Sequence, residues 1–253
     1  MNASTAPKRT ESASSSVLSN TRRNILLAGC FFALLVSSGP IIVFSYGVFL
    51  KSITAEFSIS RSSATLGLLG AQFAVAAFIP VAGRMIDIFG VKRVLVPSVI
   101  IFSLAVASIG LFAVGPVSFF ALYLLVGIAS AGHSPTAYAK VVASWFSSHR
   151  GLALGIAMAA IGVGGGVIPP VTEALIAHVG WRNAYVVLGL VVLLISLPAV
   201  LFAIREPRSL AAGDAPPTGV PSRLIWRSRD FWLMAAIFGF MGFAANGTLT
   251  QVI

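Results

Sequence analysis

Long apolar stretches separated by short polar segments form the hydrophobic pattern of this chain. A helix rises about 1.5 Å per residue, so roughly 20 apolar residues cross the ~30 Å hydrocarbon core of a bilayer. Backbone polar groups must be paired inside the hydrocarbon, which favours helices over strands in such stretches. The pattern predicts an all-α, polytopic membrane protein with seven helices, over residues 25–50, 64–82, 94–114, 118–139, 152–172, 183–204 and 231–253.

The polar segments predict four regions along the chain. Residues 1–24 are rich in serine and threonine and are predicted to form a disordered cytoplasmic tail. Residues 25–204 are predicted to form a six-helix transmembrane bundle. Residues 205–230 hold four prolines and two glycines, a composition typical of a flexible cytoplasmic linker. Residues 231–253 are then the first helix of an incomplete second bundle.

The C-terminal residues Gln251 to Ile253 are still apolar and show no polar flank. Helix ends at a membrane surface usually carry such a flank. We therefore expect that a C-terminal half is missing from the 253-residue chain. Substrate sites of transporters built from repeats lie between facing parts, so we expect this chain alone to transport poorly.

Lysine and arginine residues are unevenly distributed over the connecting segments. With a cytoplasmic N-terminus, 14 of the 17 fall on inside segments, and only Lys51, Arg61 and Arg182 fall on outside segments. Cytoplasmic loops of membrane proteins carry such an excess. The distribution predicts a multi-pass protein of the cell (inner or plasma) membrane with a cytoplasmic N-terminus.

A shift of 90 positions aligns the chain with itself at five places. The matches are Pro80 with Pro170, Val81 with Val171, Ile86 with Ile176, Gly90 with Gly180, and Lys92 with Arg182. These positions close helices two and five and open helices three and six. Because the two segments lie on opposite membrane faces, the match predicts two three-helix repeats in inverted topology, followed by the seventh helix.

Composition restricts the classes of function. The chain is 57% hydrophobic and 9% charged, whereas soluble domains carry about 25% charged residues, so a lipid bilayer is its expected surrounding. The single cysteine, Cys30, excludes an internal disulfide and a cysteine metal cluster. The basic residues lie between apolar stretches, which indicates membrane orientation and no nucleic-acid partner. The sequence shows no H-E-x-x-H motif, nucleophile elbow or phosphate-binding loop, so we predict no catalytic residue, no metal and no cofactor.

A segment rich in glycine and charge connects predicted helices two and three. It runs from Gly83 to Arg93 and reads GRMIDIFGVKR. Asp87 can accept hydrogen bonds from backbone amides or from arginine, and Gly90 permits a left-handed turn before the next helix. The segment resembles the cytoplasmic loop motif of the major facilitator superfamily, G-x-x-x-D-x-x-G-x-[KR]-[KR]. The resemblance implies that Gly83, Asp87, Gly90, Lys92 and Arg93 latch two halves together and control their rocking; the alternative is a helix cap with ordinary inside charges.

A second segment strengthens this resemblance. Residues 145–155 read WFSSHRGLALG and are followed by Pro169-Pro170 and Gly180-Trp181-Arg182. They are similar to the loop before helix five in the monocarboxylate-transporter-like branch of the superfamily, and the similarity extends over residues 22–205. The resemblance implies a twelve-helix transporter that moves a small solute by alternating access. The proline-glycine motif of drug/proton antiporters is not seen in helix five, which argues against antiport, so we expect symport with protons as candidate coupling ions.

Few polar side chains occur at membrane depth, and three of them lie on predicted helix four. His133, Thr136 and Lys140 follow the i, i+3, i+7 spacing of one helix face. We predict that this face lines a substrate cavity, where His133 binds substrate or a proton and Lys140 attracts an anion. The alternatives are a helix-to-helix hydrogen bond for His133 and a snorkelling side chain for Lys140. Tyr46 and Gln72 are weaker candidates for the same cavity.

Acidic side chains are absent from the cores of the predicted helices, where a buried carboxylate would bind a cation or a proton. The substrate is therefore expected to be anionic or neutral, with an organic anion such as a monocarboxylate as the first choice. A seven-helix receptor or sensor without transport activity is the alternative function. A retinal protein is disfavoured because residues 231–253 contain no lysine for a Schiff base.

Predicted helix five carries a stripe of small residues. Its members are Gly151, Gly155, Ala159, Gly162 and Gly166. Small residues let helix backbones approach closely where hydrophobic attraction is absent. The stripe predicts either static helix packing or a surface that slides during alternating access.

Overall fold

The computed structural model describes residues 8–146, 149–204, 227–234, 236–237 and 240, with side chains from residue 21 onward. In these ranges the regular structure is helical and no strand occurs, which confirms the predicted all-α fold. The chain divides into two compact units, Met1–Arg208 and Ser209–Ile253. The first unit contains α1 (Lys8–Leu35), a π-helical turn (Gly39–Phe44), α2 (Tyr46–Phe57), α3 (Arg61–Phe89), α4 (Val91–Phe112), α5 (Pro116–Ser130), α6 (Pro135–Trp145), α7 (Arg150–Pro198) and a second π-helical turn (Ala199–Ala203).

Five helical segments of the described chain are long and apolar enough to cross a membrane. The longest, Arg150–Ala203, contains two predicted helices, because the backbone leaves the helical region at Gly180. The segment Arg61–Phe89 is the least buried of the five and exposes large apolar side chains such as Leu66 and Phe73. Exposed apolar surface of this extent is typical of contact with lipid or with another protein surface. These segments account for the six helices predicted within residues 25–204.

Two predicted regions fall largely outside the described residues. Only residues 227–230 of the predicted linker are described, and residues 231–234, 236–237 and 240 of the predicted seventh helix are helical. The linker, the incomplete second bundle and the boundaries between the regions therefore stay predictions.

Helix α1 begins earlier than the hydrophobic pattern predicts. It starts at Lys8, so the described part of segment 1–24 is helical and departs from the prediction of a disordered tail. A helix that has already nucleated gains one hydrogen bond for each further residue that it orders. The apolar stretch from Ile25 supplies that nucleus, so extension into the polar segment costs less than starting a helix there.

The first membrane helix is interrupted, where a continuous helix over residues 25–50 was predicted. Helix α1 ends at Leu35, and α2 begins only at Tyr46, after the π-helical turn. Pro40 has no backbone N–H, and in an α-helix its ring would clash with the carbonyl four residues earlier. The buried hydroxyl of Ser45 donates a hydrogen bond to the Pro40 carbonyl at 2.8 Å. That bond pairs one of the backbone groups that the break releases.

The fourth predicted helix, over residues 118–139, is interrupted as well. Helix α5 ends at Ser130 and α6 begins at Pro135, with a turn between them. Under the 90-residue shift, the break at 36–45 corresponds to 126–135, which contains this turn. Each repeat therefore begins with a discontinuous helix, as in transporters whose binding sites lie at broken helices.

Gly90 and Gly180 adopt the same backbone conformation. Their φ and ψ angles are 87° and 156° at Gly90 and 80° and 160° at Gly180. This region of backbone space is essentially restricted to glycine. Each glycine joins two membrane helices, and each lies ten residues after a proline inside the preceding helix, Pro80 or Pro170. The structure thus confirms the two three-helix repeats that the sequence predicts.

Helices α3 and α5 pack closely just before the break that precedes α6. Gly127 of α5 lies directly on the backbone of Ala71, and a Cβ at Gly127 would overlap the Ala71 carbonyl oxygen. Small residues allow such backbone approach between membrane helices. Two buried apolar clusters form the core of the bundle: one includes Ala71, Phe102 and Tyr185, and the other includes Tyr138.

Candidate functional site

The six-helix bundle has two ends, which differ in their polar contacts. Successive membrane helices alternate in direction, so α3 and α6 end, and α4 and α7 begin, at one side of the bundle. That side is called the Gly90 end. The opposite side, where α2 ends and the backbone turns at Gly180, is called the Gly180 end.

An ion pair connects two helices at the Gly90 end. The Lys140 Nζ of α6 lies 2.5 Å from the Asp87 Oδ1 of α3, and the two side chains are 45% and 64% exposed. The sequence suggested an arginine or backbone amides as partners of Asp87, and the structure gives it a lysine from another helix instead. Spacing along the chain does not predict this pair, because the partners are 53 residues apart. The contact fastens the last turn of α3 to α6.

The other members of the loop motif also make contacts at this end. The Gly90 N–H donates to the Ile86 carbonyl at 3.0 Å and closes α3. The Lys92 ammonium donates to the Leu201 carbonyl at 2.6 Å, which fastens the start of α4 to the second π-helical turn. Arg93 is exposed, and a Cβ at Gly83 would meet open space. These described contacts stay within the six-helix bundle, and the latch between two halves stays a prediction.

A cavity of about 200 Å³ lies between α3 and the break that precedes α6. Of the predicted site residues, Gly83, Thr136 and Lys140 border it. Ser134, which the sequence interpretation passed over, borders it as well and is 4% exposed. The Ser134-Pro135 pair was a usable signal, because serine is common just before a helix and proline at its first position. The full lining consists of Ile79, Pro80, Ala82, Gly83, Ile86, Ala131, Ser134, Thr136, Ala137 and Lys140.

His133 does not share the face of Thr136 and Lys140, so the prediction of one three-residue face is wrong. It lies in the turn before Pro135, is fully buried, and does not border the cavity. Its Nδ1 lies 2.8 Å from the Tyr138 hydroxyl, and its ring packs 5.5 Å from the Phe102 ring. The Nε2 atom has no hydrogen-bond partner among the described residues. The i, i+3, i+7 spacing fails because the helix begins only at Pro135.

Tyr46 and Gln72, the two weaker candidates, lie apart from this cavity. The Tyr46 hydroxyl donates to the Ala64 carbonyl at 2.5 Å, and its ring packs edge-on against Tyr123 at 5.5 Å. Gln72 is exposed on α3. Of the predicted residues, the structure therefore brings Thr136, Lys140, Gly83 and Asp87 together, and it leaves His133, Tyr46 and Gln72 outside that group.

At the Gly180 end, a set of hydrogen bonds connects the end of α2 to α7. The Trp181 Nε1 donates to the Glu56 Oε2 at 2.5 Å, and the Arg182 Nη2 and Nε donate to the Glu56 Oε1 at 2.6 and 3.2 Å. The Arg182 guanidinium also lies 4.5 Å from the Trp181 ring centroid. Partial burial raises the pKa of the Glu56 carboxyl, but hydrogen bonds from Arg182 and Trp181 outweigh it, so the pKa lies below its usual value. No sequence spacing pointed to Glu56, which is 125 residues from Trp181.

The small-residue stripe of α7 faces outward from the first unit. All five members are exposed, and a Cβ at Gly151, Gly155, Gly162 or Gly166 would meet open space. The stripe therefore does not pack against another of the described helices. Among the described residues, no group of three His, Cys, Asp or Glu side chains lies close enough to bind a metal ion.

Comparison with known proteins identifies the family. The family model of the Major Facilitator Superfamily matches residues 25–253. The probable sulfoacetate transporter SauU of Cupriavidus necator is 36% identical over 142 residues, which cover 55% of this chain and 32% of that protein. The riboflavin transporter RibJ of Trypanosoma brucei brucei is 33% identical over 115 residues, which cover 43% of this chain and 20% of that protein. Monocarboxylate transporter 12 of Mus musculus is 33% identical over 95 residues, which cover 35% of this chain and 20% of that protein.

The chain thus spans about a third or less of the length of these three relatives. The family model, by contrast, covers nearly all of the chain and includes both repeats and the glycine junctions at Gly90 and Gly180. The six membrane helices of the first unit agree with the helical bundle that the loop motif led us to expect. The chain belongs to the major facilitator superfamily.

Proposed function

We propose that the protein is a secondary active transporter that moves a small organic anion, such as a monocarboxylate, across the cell membrane by alternating access. Family membership supports transport over the alternative of a seven-helix receptor. The names of two relatives, a probable sulfoacetate transporter and a monocarboxylate transporter, support an organic anion as the substrate class. The excess of basic residues on one set of connections supports a cytoplasmic N-terminus and a cytoplasmic Gly90 end.

The observation that carries this proposal is the position of Lys140 at the small cavity. An ammonium group borders about 200 Å³ of space whose other described walls are apolar side chains and two hydroxyl-bearing residues, Ser134 and Thr136. Binding pockets for drug-sized ligands measure roughly 300–1,000 Å³, so this cavity suits a smaller solute. A short carboxylate matches it, because it has one anionic end and one apolar end.

Uptake of radiolabelled propionate tests the proposal. The protein is expressed from its complete reading frame, reconstituted in liposomes and supplied with an inward proton gradient. We expect saturable uptake that unlabelled propionate inhibits and that the neutral analogue propionamide does not. Lys140→Gln is expected to reduce uptake at least about tenfold, whereas the control Lys51→Gln, at an exposed lysine of α2, retains it.

The absence of saturable uptake for propionate, lactate and sulfoacetate would contradict the organic-anion proposal. Equal inhibition by propionamide would contradict recognition of the negative charge. Uptake that is identical with and without the proton gradient would contradict proton symport while leaving transport of the anion in place.

A further inference from the structure

Two exposed arginines and an exposed tryptophan surround an open groove in the second unit, at the start of the predicted seventh helix. The groove measures about 420 Å³, and the described residues that line it are Arg227, Ser228, Arg229, Trp232 and Leu233. The described helix of this segment begins at Arg229. The groove shares no residue with the Lys140 cavity or with the ion pairs of the six-helix bundle.

The turn before this helix places both arginines at the same groove. The Ser228 hydroxyl accepts a hydrogen bond from the Phe231 N–H at 3.2 Å, which caps the start of the helix. Arg227 and Arg229 lie on either side of Ser228 in the chain, and both line the groove. The rings of Phe231 and Trp232 pack edge-on, with their centroids 5.6 Å apart. Two guanidinium groups and an indole ring therefore border one space.

The charges at the groove favour a phosphate. Arg227 and Arg229 are exposed, and neither has an ion-pair partner among the described residues. Asp230, the acidic residue next to them, does not line the groove. A guanidinium group is planar and can donate two parallel hydrogen bonds to a phosphate, and it is more weakly hydrated than an ammonium. Two such groups beside one groove match a phosphate that carries a negative charge.

The apolar side chains at the groove favour a lipid over a free phosphate. Trp232 and Leu233 are 57% and 61% exposed, and Met234 and Ile237, further along the helix, are exposed as well. Tryptophan is enriched at membrane–water interfaces, where its ring lies at the level of the lipid head groups. A phospholipid interacts with both parts of this surface, because its phosphate meets the arginines and its glycerol and acyl chains cover the apolar side chains.

We propose that this groove binds the head group of an anionic phospholipid, with the phosphate between Arg227 and Arg229 and the glycerol against Trp232 and Leu233. The anionic surface of a membrane attracts basic segments that lie next to a membrane helix. Arg223 adds a further positive charge to the sequence just before the groove. The bound lipid fastens the end of the predicted linker to the membrane surface, where the following helix enters the bilayer.

Local hydrogen exchange during a lipid titration tests this site. The full chain is purified in a non-ionic detergent, and dihexanoyl phosphatidylglycerol is added at constant ionic strength. Slower exchange of the backbone amides in residues 229–234 reports binding at the groove, and its dependence on lipid concentration gives a dissociation constant. Dihexanoyl phosphatidylcholine, which has the same acyl chains and no net charge, and glycerol phosphate, which has no acyl chains, are the control ligands. We expect protection by phosphatidylglycerol and by neither control.

Charge variants assign the lipid to the groove. Arg227→Gln and Arg229→Gln are each expected to weaken phosphatidylglycerol binding about fivefold, and the double variant about thirtyfold, because contributions of basic side chains near an anionic surface multiply. Asp230→Asn removes a neighbouring negative charge and is expected to tighten binding. Arg61→Gln, at an exposed arginine of α3, is the matched control and should bind like the unchanged protein. Heating each variant while labelling Cys30, the single cysteine, which is fully buried in the fold, shows whether it remains folded.

Protection by phosphatidylglycerol alone, with the expected loss of affinity in the double variant, supports the proposal. Equal protection by phosphatidylcholine would show that the charge of the head group is not recognised, and equal protection by glycerol phosphate would show a site for a free phosphate; either result overturns the proposal. The absence of protection, or an unchanged affinity in the folded double variant, overturns it as well. These outcomes are independent of substrate transport, which the uptake of propionate measures.

Discussion

The Gly90 and Gly180 ends share one backbone turn but are fastened by different contacts. At the Gly90 end a single ammonium holds a single carboxylate, Lys140 on Asp87, with both side chains about half exposed or more. At the Gly180 end Glu56 accepts three hydrogen bonds from two side chains, Trp181 and Arg182. The Arg182 and Glu56 side chains are 35% and 41% exposed, somewhat less than Lys140 and Asp87. Because Glu56 has two donors and Asp87 has one, we expect the contact at the Gly90 end to open more easily, and we call that end releasable and the Gly180 end fixed.

The largest expected effect concerns the glycine turn that the two ends have in common. Gly90→Ala and Gly180→Ala each place a side chain in a backbone region that only glycine adopts freely, and each is expected to lower the free energy of unfolding by about 1–3 kcal/mol. The two losses should be similar, because the φ and ψ angles are nearly equal. Thermal unfolding followed at Cys30 measures both. Gly155→Ala is the control, since its Cβ meets open space on a helix, and stability should not fall.

The next effect tests the fixed end. Glu56→Gln removes the charge that Trp181 and Arg182 share and is expected to lower the free energy of unfolding by about 1–2 kcal/mol, a value reduced for partial exposure. The same thermal assay applies. The matched control is Glu173→Gln, which neutralises an exposed glutamate of α7. If Glu56→Gln and Glu173→Gln lower the free energy of unfolding equally, the hydrogen bonds of Glu56 add nothing to the effect of removing one negative charge.

A smaller loss is expected at the releasable end. Asp87→Asn should lower the free energy of unfolding by less than about 1 kcal/mol, because the pair that it breaks is exposed and screened. Raising the salt concentration should shrink even this difference between the variant and the unchanged protein. A loss larger than that of Glu56→Gln would reverse the proposed ranking of the two ends.

The smallest effect is a pH dependence of the Glu56 contact at the Gly180 end. The folded-state pKa of Glu56 is lowered, so its contribution to stability is fully present above the unfolded value of about 4.3 and disappears as the pH falls through the folded pKa. The stability difference between the unchanged protein and Glu56→Gln should therefore be constant from neutral pH down to that value and shrink below it. Unfolding temperatures measured from pH 7 to pH 3 check this window, and a difference that shrinks above pH 5 would contradict it.

The sequence predicts those parts of the fold that the length of the apolar stretches determines. Apolar length alone located the six helices of residues 25–204, because hydrocarbon permits few alternatives to helices. The match of Gly90 with Gly180 predicted the repeat, since the same unusual backbone turn requires glycine twice. The breaks in the first and fourth helices were harder to predict. Apolar residues continue across Gly39-Pro40 and Ser134-Pro135, so hydropathy alone shows no interruption.

The candidate site was only partly predictable, because its contacts depend on those breaks. Thr136 and Lys140 border the same cavity, but the turn before Pro135 directs His133 into the core. The partners of Asp87 and Glu56 come from helices 53 and 125 residues away. Such pairings follow from tertiary packing and have no periodicity that a single sequence displays.

Hydrogen exchange of backbone amides at low and at high salt tests the central claim most directly, because it reports local opening at both ends of the same molecule. The account predicts that high salt accelerates exchange in the last turn of α3, from Met85 to Phe89, because it screens the exposed Lys140–Asp87 pair, and that it changes exchange in the turn from Trp181 to Tyr185 less. Unchanged exchange at the α3 turn, or equal acceleration at both turns, would contradict the division into a releasable and a fixed end.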